Sequence, residues 1–234
     1  MEAKLDSLEM ILKGIEGDLN VAESGLRLFK LTETFSMDGA SNLESVRISL
    51  LNIRKFISII YIIATKGTSG VETERYCNLA EFLKELIMEV KRVNPETIEK
   101  FDFVDESFEP GYCINIERMQ ILVYNIVRIF MIGSEAQKKK IKLKLIETEK
   151  EFRMEFRGDN SMPATMSELD ECMFLVTKKV ATTMGYKCLF NNTSSFTKCI
   201  VKIPKIATKQ IALREDIGKI KLDETLAEIF FCDI

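Results

Sequence analysis

Leu5, Leu8, Leu12, Ile15, Leu19, Ala22, Leu26 and Phe29 are spaced alternately by three and four residues. This is an unbroken heptad seam, and it predicts one long helix from about residue 4 to 34. The run Met37-Asp38-Gly39-Ala40 reads as a turn, with Ser41 or Asn42 placed to cap a second helix. That helix has its own seam: Leu43, Val46, Leu50, Ile53, Ile57, Ile60 and Ala64. It also carries Ile48, Leu51, Phe56, Ile59, Ile62 and Ile63, so it is apolar around much of its circumference. One partner helix cannot cover such a surface. Residues 1–66 are therefore expected to form a helical hairpin that pairs with a second copy as a dimeric four-helix bundle. The alternative is that the rest of the chain packs on the surplus face.

The periodicity changes after residue 66. Residues 67–76, entered through Lys66-Gly67-Thr68-Ser69-Gly70, have the composition of a linker. Asn78 can cap a helix carrying Leu79, Phe82, Leu83, Leu86, Ile87 and Val90, which Asn94-Pro95 stops. Phe101 and Phe103 alternate with polar residues, and Tyr112-Cys113-Ile114 follows the Pro110-Gly111 turn, so two short strands are expected. Ile116 to Ile132 reads as a buried helix. Ile141 to Ile146 and Phe152 to Phe156 each alternate about a charged turn, the pattern of an antiparallel hairpin with one wet face. A helix from about Ser167 to Met184, ended by Gly185, precedes strands near Tyr186 to Phe190 and Phe196 to Ile203. Residues 77–204 thus form an α+β sandwich with helices segregated on one face of the sheet. Residues 205–234 are an extension in which Ile206 and Ile211 suit an extended segment and Asp223 can cap a short helix. Internal docking of this tail is favoured over a partner-binding peptide.

Composition restricts the chemistry. The chain has 33 basic and 36 acidic residues and no histidine, where average usage would supply roughly five. No imidazole is available as base, nucleophile or metal ligand. The six cysteines form no C-x-x-C pair, so no metal site is expected; buried small apolar roles fit them better, with Cys188 and Cys199 placed to face each other across the last hairpin. No apolar run reaches the length of a membrane span, and the charged start is unlike a signal peptide, so a cytoplasmic, membrane-independent chain with reduced thiols is expected. Lys138-Lys139-Lys140 reads as a solvated loop, and without a basic stripe interleaved with aromatics no nucleic-acid partner is expected.

The order of parts resembles the core of a sensor histidine kinase: dimerisation hairpin, linker and ATPase-like sandwich. Met119-Gln120-Ile121-Leu122-Val123-Tyr124-Asn125-Ile126-Val127 resembles the segment leading into that family's N-box, with Asn125 at the first asparagine. The second, metal-holding asparagine falls on Ile129. Phe152 to Asn160 resembles the strand before the adenine-reading box; Asp159-Asn160 persist, whereas Ser161 and Pro163 replace its glycines. Where a glycine-rich lid is expected, Glu168 to Phe174 holds none. Closing backbone amides around a polyphosphate needs glycines, and a divalent ion needs oxygen ligands, so no nucleotide cofactor is expected. Asp159 also suits an ordinary turn after a strand.

A kinase-like shape without ATP resembles the ChpT-type histidine phosphotransferases of bacterial phosphorelays. Ser24-Gly25-Leu26-Arg27-Leu28 is similar to the close of that family's first helix. Counted from Gly25, the phosphoacceptor histidine falls on Lys13; matched through Gly17-Asp18-Leu19-Asn20, it falls on Gly17. Neither can relay as imidazole does. At a reference pKa of about 10.4, an ordinary lysine is neutral at pH 7 only on the order of once in 10³ to 10⁴. The resemblance then implies a non-catalytic dimeric adaptor for response-regulator receiver domains, with Lys13, Glu16, Gly17 and Asn20 as docking candidates. The alternatives are phosphotransfer or phosphatase activity through a carboxylate, Lys13 or a thiol, and a structural dimer unconnected with phosphorelays.

Overall fold

The computed structural model describes residues 15, 19–26, 37–64, 74–95, 98–108, 111–131, 139–158, 168–192, 197–205, 222 and 224–231. These fall into two compact units, divided between residues 66 and 67.

In the first unit, residues 19–26 are helical (α1), and a 28-residue helix spans Met37–Ala64 (α2). Met37 to Ala40, read from sequence as a turn, is the first turn of α2. A single helical glycine costs only about 1 kcal/mol, which Gly39 imposes on a helix long enough to absorb it. Leu19 packs with Ile57 and Leu50. Arg54 ties the two helices together: it forms a 3.1 Å salt bridge to Glu23 and donates to the side-chain oxygen of Asn20. The second seam divides over two faces. Leu50 and Ile57 face α1, whereas Val46, Ile53 and Ile60, seven residues apart, remain 47%, 46% and 46% exposed.

In the second unit, β1 (Glu74–Asn78) and β3 (Gly111–Asn115) form an antiparallel pair. β1 overlaps the end of the expected linker; its polar sequence, ERYCN, gives little strand signal. A five-stranded sheet has the order β2-β4-β5-β7-β6, from β2 (Ile98–Glu106), β4 (Lys139–Glu147), β5 (Glu151–Gly158), β6 (Lys187–Asn192) and β7 (Thr197–Pro204). Only β2 and β4 run parallel. The strands expected on either side of Pro110-Gly111 are β2 and β3, and they do not pair with each other. All of Tyr112, Cys113 and Ile114 is buried, so β3 has no wet face to place on the sheet's edge. Lys139 and Lys140 open β4 rather than lying in a loop.

The helices are α3 (Leu79–Val93), α4 (Ile116–Met131), α5 (Glu168–Thr183) and α6 (Glu224–Phe231). Asn78 caps α3 by accepting from the amides of Ala80 and Glu81 at 3.0 and 3.1 Å. Gly185, at φ +76°, takes the left-handed turn that ends α5. Phe152, Met154 and Phe156 on β5 and Cys199, Val201 and Ile203 on β7 point to the buried face of the sheet; their neighbours point away. α4 is buried from Met119 to Met131. α6 packs on α3 and α4, where Tyr124 meets Phe230 and Phe231 at ring separations of 6.1 and 5.5 Å. Arg128 donates to the backbone oxygen of Phe230 at 3.1 Å. Ile206, Ile211 and Asp223 lie outside the described residues.

Phe230 is fully buried in that contact, so Phe230→Ala should cost about 3–5 kcal/mol in a urea unfolding titration. A truncation after Pro204 should lower the melting temperature as well. Loss below about 1 kcal/mol in the point variant would place α6 outside the cooperative core.

Candidate functional site

The kinase-like motifs converge on α4 and the C-terminal end of β5. Asn125 sits in the middle of α4, fully buried, and among the described residues neither its amide nitrogen nor its carbonyl oxygen has a hydrogen-bond partner. An unsatisfied buried polar group costs about 1–3 kcal/mol, so this position is held against stability. One turn later stands Ile129, 1% exposed, with no oxygen to offer a cation. The next residue, Phe130, lies over the end of β5. Its ring stacks on Phe156 at 6.4 Å, and a Cβ at Gly158 would lie 2.7 Å from Phe130 Cδ1. Glycine at 158 is therefore required by the packing of Phe130 and needs no phosphate to explain it.

Asp159 and Asn160 follow Gly158 directly and lie outside the described residues. Glu168 to Phe174, the stretch matched to a glycine-rich lid, is the first half of α5. Beyond a helix's first turn, backbone amides are already bonded within the helix and cannot fold over a phosphate chain. Ile129 offers a cation no oxygen, and Glu168 to Phe174 is helix; residues 159–167, which lead into α5, lie outside the described residues.

In the hairpin unit, Lys13, Glu16 and Gly17 lie outside the described residues. Asn20 is exposed on α1, and its side chain is engaged by Arg54. Sequence reasoning gave no role to Lys55. It is 1% exposed, and its ammonium donates to Asn52 at 2.8 Å. The one available signal was its place four residues after the buried Leu51.

Cys77, Cys113 and Cys199 are buried, and Cys188 is half-buried. Burial, with the neighbouring Cys113 thiol adding to it, pushes Cys77 up to about 12. Cys199 is raised well above the ordinary thiol range, first by burial and then by its contact with Cys188, whose sulfur lies 3.6 Å away. Neither buried thiol is an activated nucleophile.

No family model matches the chain, and no curated protein matches it. Solved structures do. The histidine kinase AdeS of Acinetobacter baumannii is similar over 86% of this chain and 96% of its own, at 9% identity and a TM-score of 0.55. Full-length ShkA, solved in complex with AMPPNP, is similar over 85% of this chain, at 14% identity and a TM-score of 0.64. This chain spans 45% of ShkA. The fold is that of a histidine kinase, with an ATPase-like α/β sandwich. No helix among the described residues is long and apolar enough to cross a membrane.

Replacing Asn125 with leucine, which has nothing to hydrogen-bond, should raise stability by about 1–3 kcal/mol in urea unfolding. A loss of similar size, with the same loss in Asn125→Ala, would show that the amide is not a cost to the fold.

Proposed function

We propose that this protein is a two-component signalling adaptor of the ChpT-like kind: a histidine-kinase fold that docks receiver domains without passing phosphate. The observation that carries this reading is a histidine-kinase fold on a chain with no histidine. Aspartyl phosphate on a receiver can be taken up only by a nucleophile, and relay onward requires a product as energetic as phosphohistidine. Carboxylates, Lys13 and the buried thiols are poor substitutes. By resemblance, Ile129 at the position of the metal-holding asparagine supports the same reading, since kinase activity would need that cation. By resemblance, receivers dock along the hairpin near the lost acceptor, where Lys13, Glu16, Gly17 and Asn20 are the contact candidates.

The adaptor acts as a homodimer. Val46, Ile53 and Ile60 form an exposed apolar stripe at heptad spacing on α2, opposite in use to the Leu50 and Ile57 face that meets α1. A second hairpin offers an identical stripe, and pairing them removes both from water.

Titration of the protein with isolated receiver domains, with and without beryllofluoride, should give saturable heat for one receiver, and Glu16→Arg should weaken that binding about tenfold. Flat titrations across the panel would sink the docking claim; label transfer from a phosphorylated receiver would replace it with a non-histidine acceptor. Separately, Ile53→Glu should halve the mass seen by light scattering while leaving the second unit folded.

A further inference from the structure

The face of the five-stranded sheet turned away from the helices is ordered by charge. Register aligns Lys142, Arg157 and Lys198 directly opposite one another across β4, β5 and β7. A second row aligns Arg153, Lys202 and Lys187 across β5, β7 and β6. Like charges directly across a sheet repel, so two such rows weaken the fold that carries them. Carboxylates offset them in part: Glu155 bridges Lys198 at 2.7 Å, and Glu151 sits 2.9 Å from Arg153 and 3.6 Å from Lys202. Asp102 and Glu106 stand at the β2 end of the rows, opposite Lys142 and Ile146. The face remains basic on a chain whose net charge is −3.

Between the cationic rows runs a third, Val104, Lys144, Glu155, Ile200 and Leu189, aligned by the same register. Its outer end is apolar, and Leu189 is 52% exposed on the edge strand. The cationic rows are four residues apart along β5, Arg157 to Arg153, or about 13 Å at strand rise. An α-helix with its side chains is about 10–12 Å across. The width between the rows is that of one helix, and an extended peptide is too narrow to reach both.

We propose that this sheet face docks an acidic amphipathic helix of a protein partner, laid across the strands with its apolar stripe on Ile200 and Leu189 and carboxylates on both flanks. Nucleic acid fits less well. Among the described residues this face presents no aromatic ring on which a base could stack, and in its central row Val104, Ile200 and Leu189 are apolar, Glu155 is acidic, and Lys144 is paired with Glu106. The surface lies wholly in the second unit and does not rest on the receiver reading.

The test uses the full-length protein and a fluorescein-labelled leucine/glutamate amphipathic peptide of roughly 18 residues, long enough as a helix to cross the sheet. The comparison probes are a scrambled peptide of the same composition and an oligouridine strand. Anisotropy at low salt should show the helical peptide binding about tenfold more tightly than either. Lys142→Glu with Lys187→Glu, both exposed and one from each row, should remove about tenfold of that affinity with the circular dichroism spectrum unchanged. Since that pair changes only exposed side chains, Leu189→Asp serves as a second variant and should erase the preference over the scramble. Equal binding of the two peptides, tighter binding of the RNA, or indifference to both variants would overturn the proposal.

Discussion

Burial of α4 on every side is the constraint on which the second unit depends. One side of the helix lies on the sheet through Phe130, Phe156 and the bare backbone of Gly158. Another meets α6 through Tyr124 and the carbonyl bonded by Arg128. A helix enclosed in this way tolerates few polar groups, and those it keeps must be bonded or costly. Gln120 is bonded, to Tyr124 at 3.1 Å; Asn125 is not. The same enclosure explains Ile129. A hydrocarbon side chain at this buried position, 1% exposed, stabilises the helix where it is enclosed.

The hairpin unit follows a different rule. On its second helix Leu50 and Ile57 pack toward α1, whereas Val46, Ile53 and Ile60 remain about half exposed among the described residues. Arg54, held between Glu23 and Asn20, fixes which face is turned to α1. A polar clasp of this kind selects register more than it adds stability.

Much of the fold was legible because its signals are local. Asn78, Asn94-Pro95 and Gly185 mark helix ends by backbone chemistry, and the alternation in Ile141 to Ile146 and Phe152 to Phe156 places β4 and β5 correctly. What was not legible depends on long-range partners. The sequence shows that β2 and β3 are strands but not that they join different sheets, because pairing follows from burial on both faces of β3. β1 is short and polar and declares itself only by its partner. The packing of Phe130 on Gly158 was not legible, since a glycine after a strand has several uses. The basic sheet face was invisible for the same reason: its rows are drawn from strands far apart in sequence, and only register brings Lys142, Arg157 and Lys198 together.

The two electrostatic costs in this unit have different meanings. Asn125 is a buried cost, sealed from solvent, and relieving it needs only a change of side chain. The opposed cations are a surface cost, which an anionic partner relieves without any change to the chain. Six cations stand in two rows on this face, and three of them, Arg153, Lys198 and Lys202, are in ion pairs with Glu151 or Glu155. Arg153 holds the Glu151 carboxyl below its usual range through their hydrogen bond, so that carboxylate remains charged as pH falls toward the ordinary glutamate range. It continues to offset Arg153 and Lys202 there, and the sheet keeps its internal neutralisation until the pH drops through the lowered value.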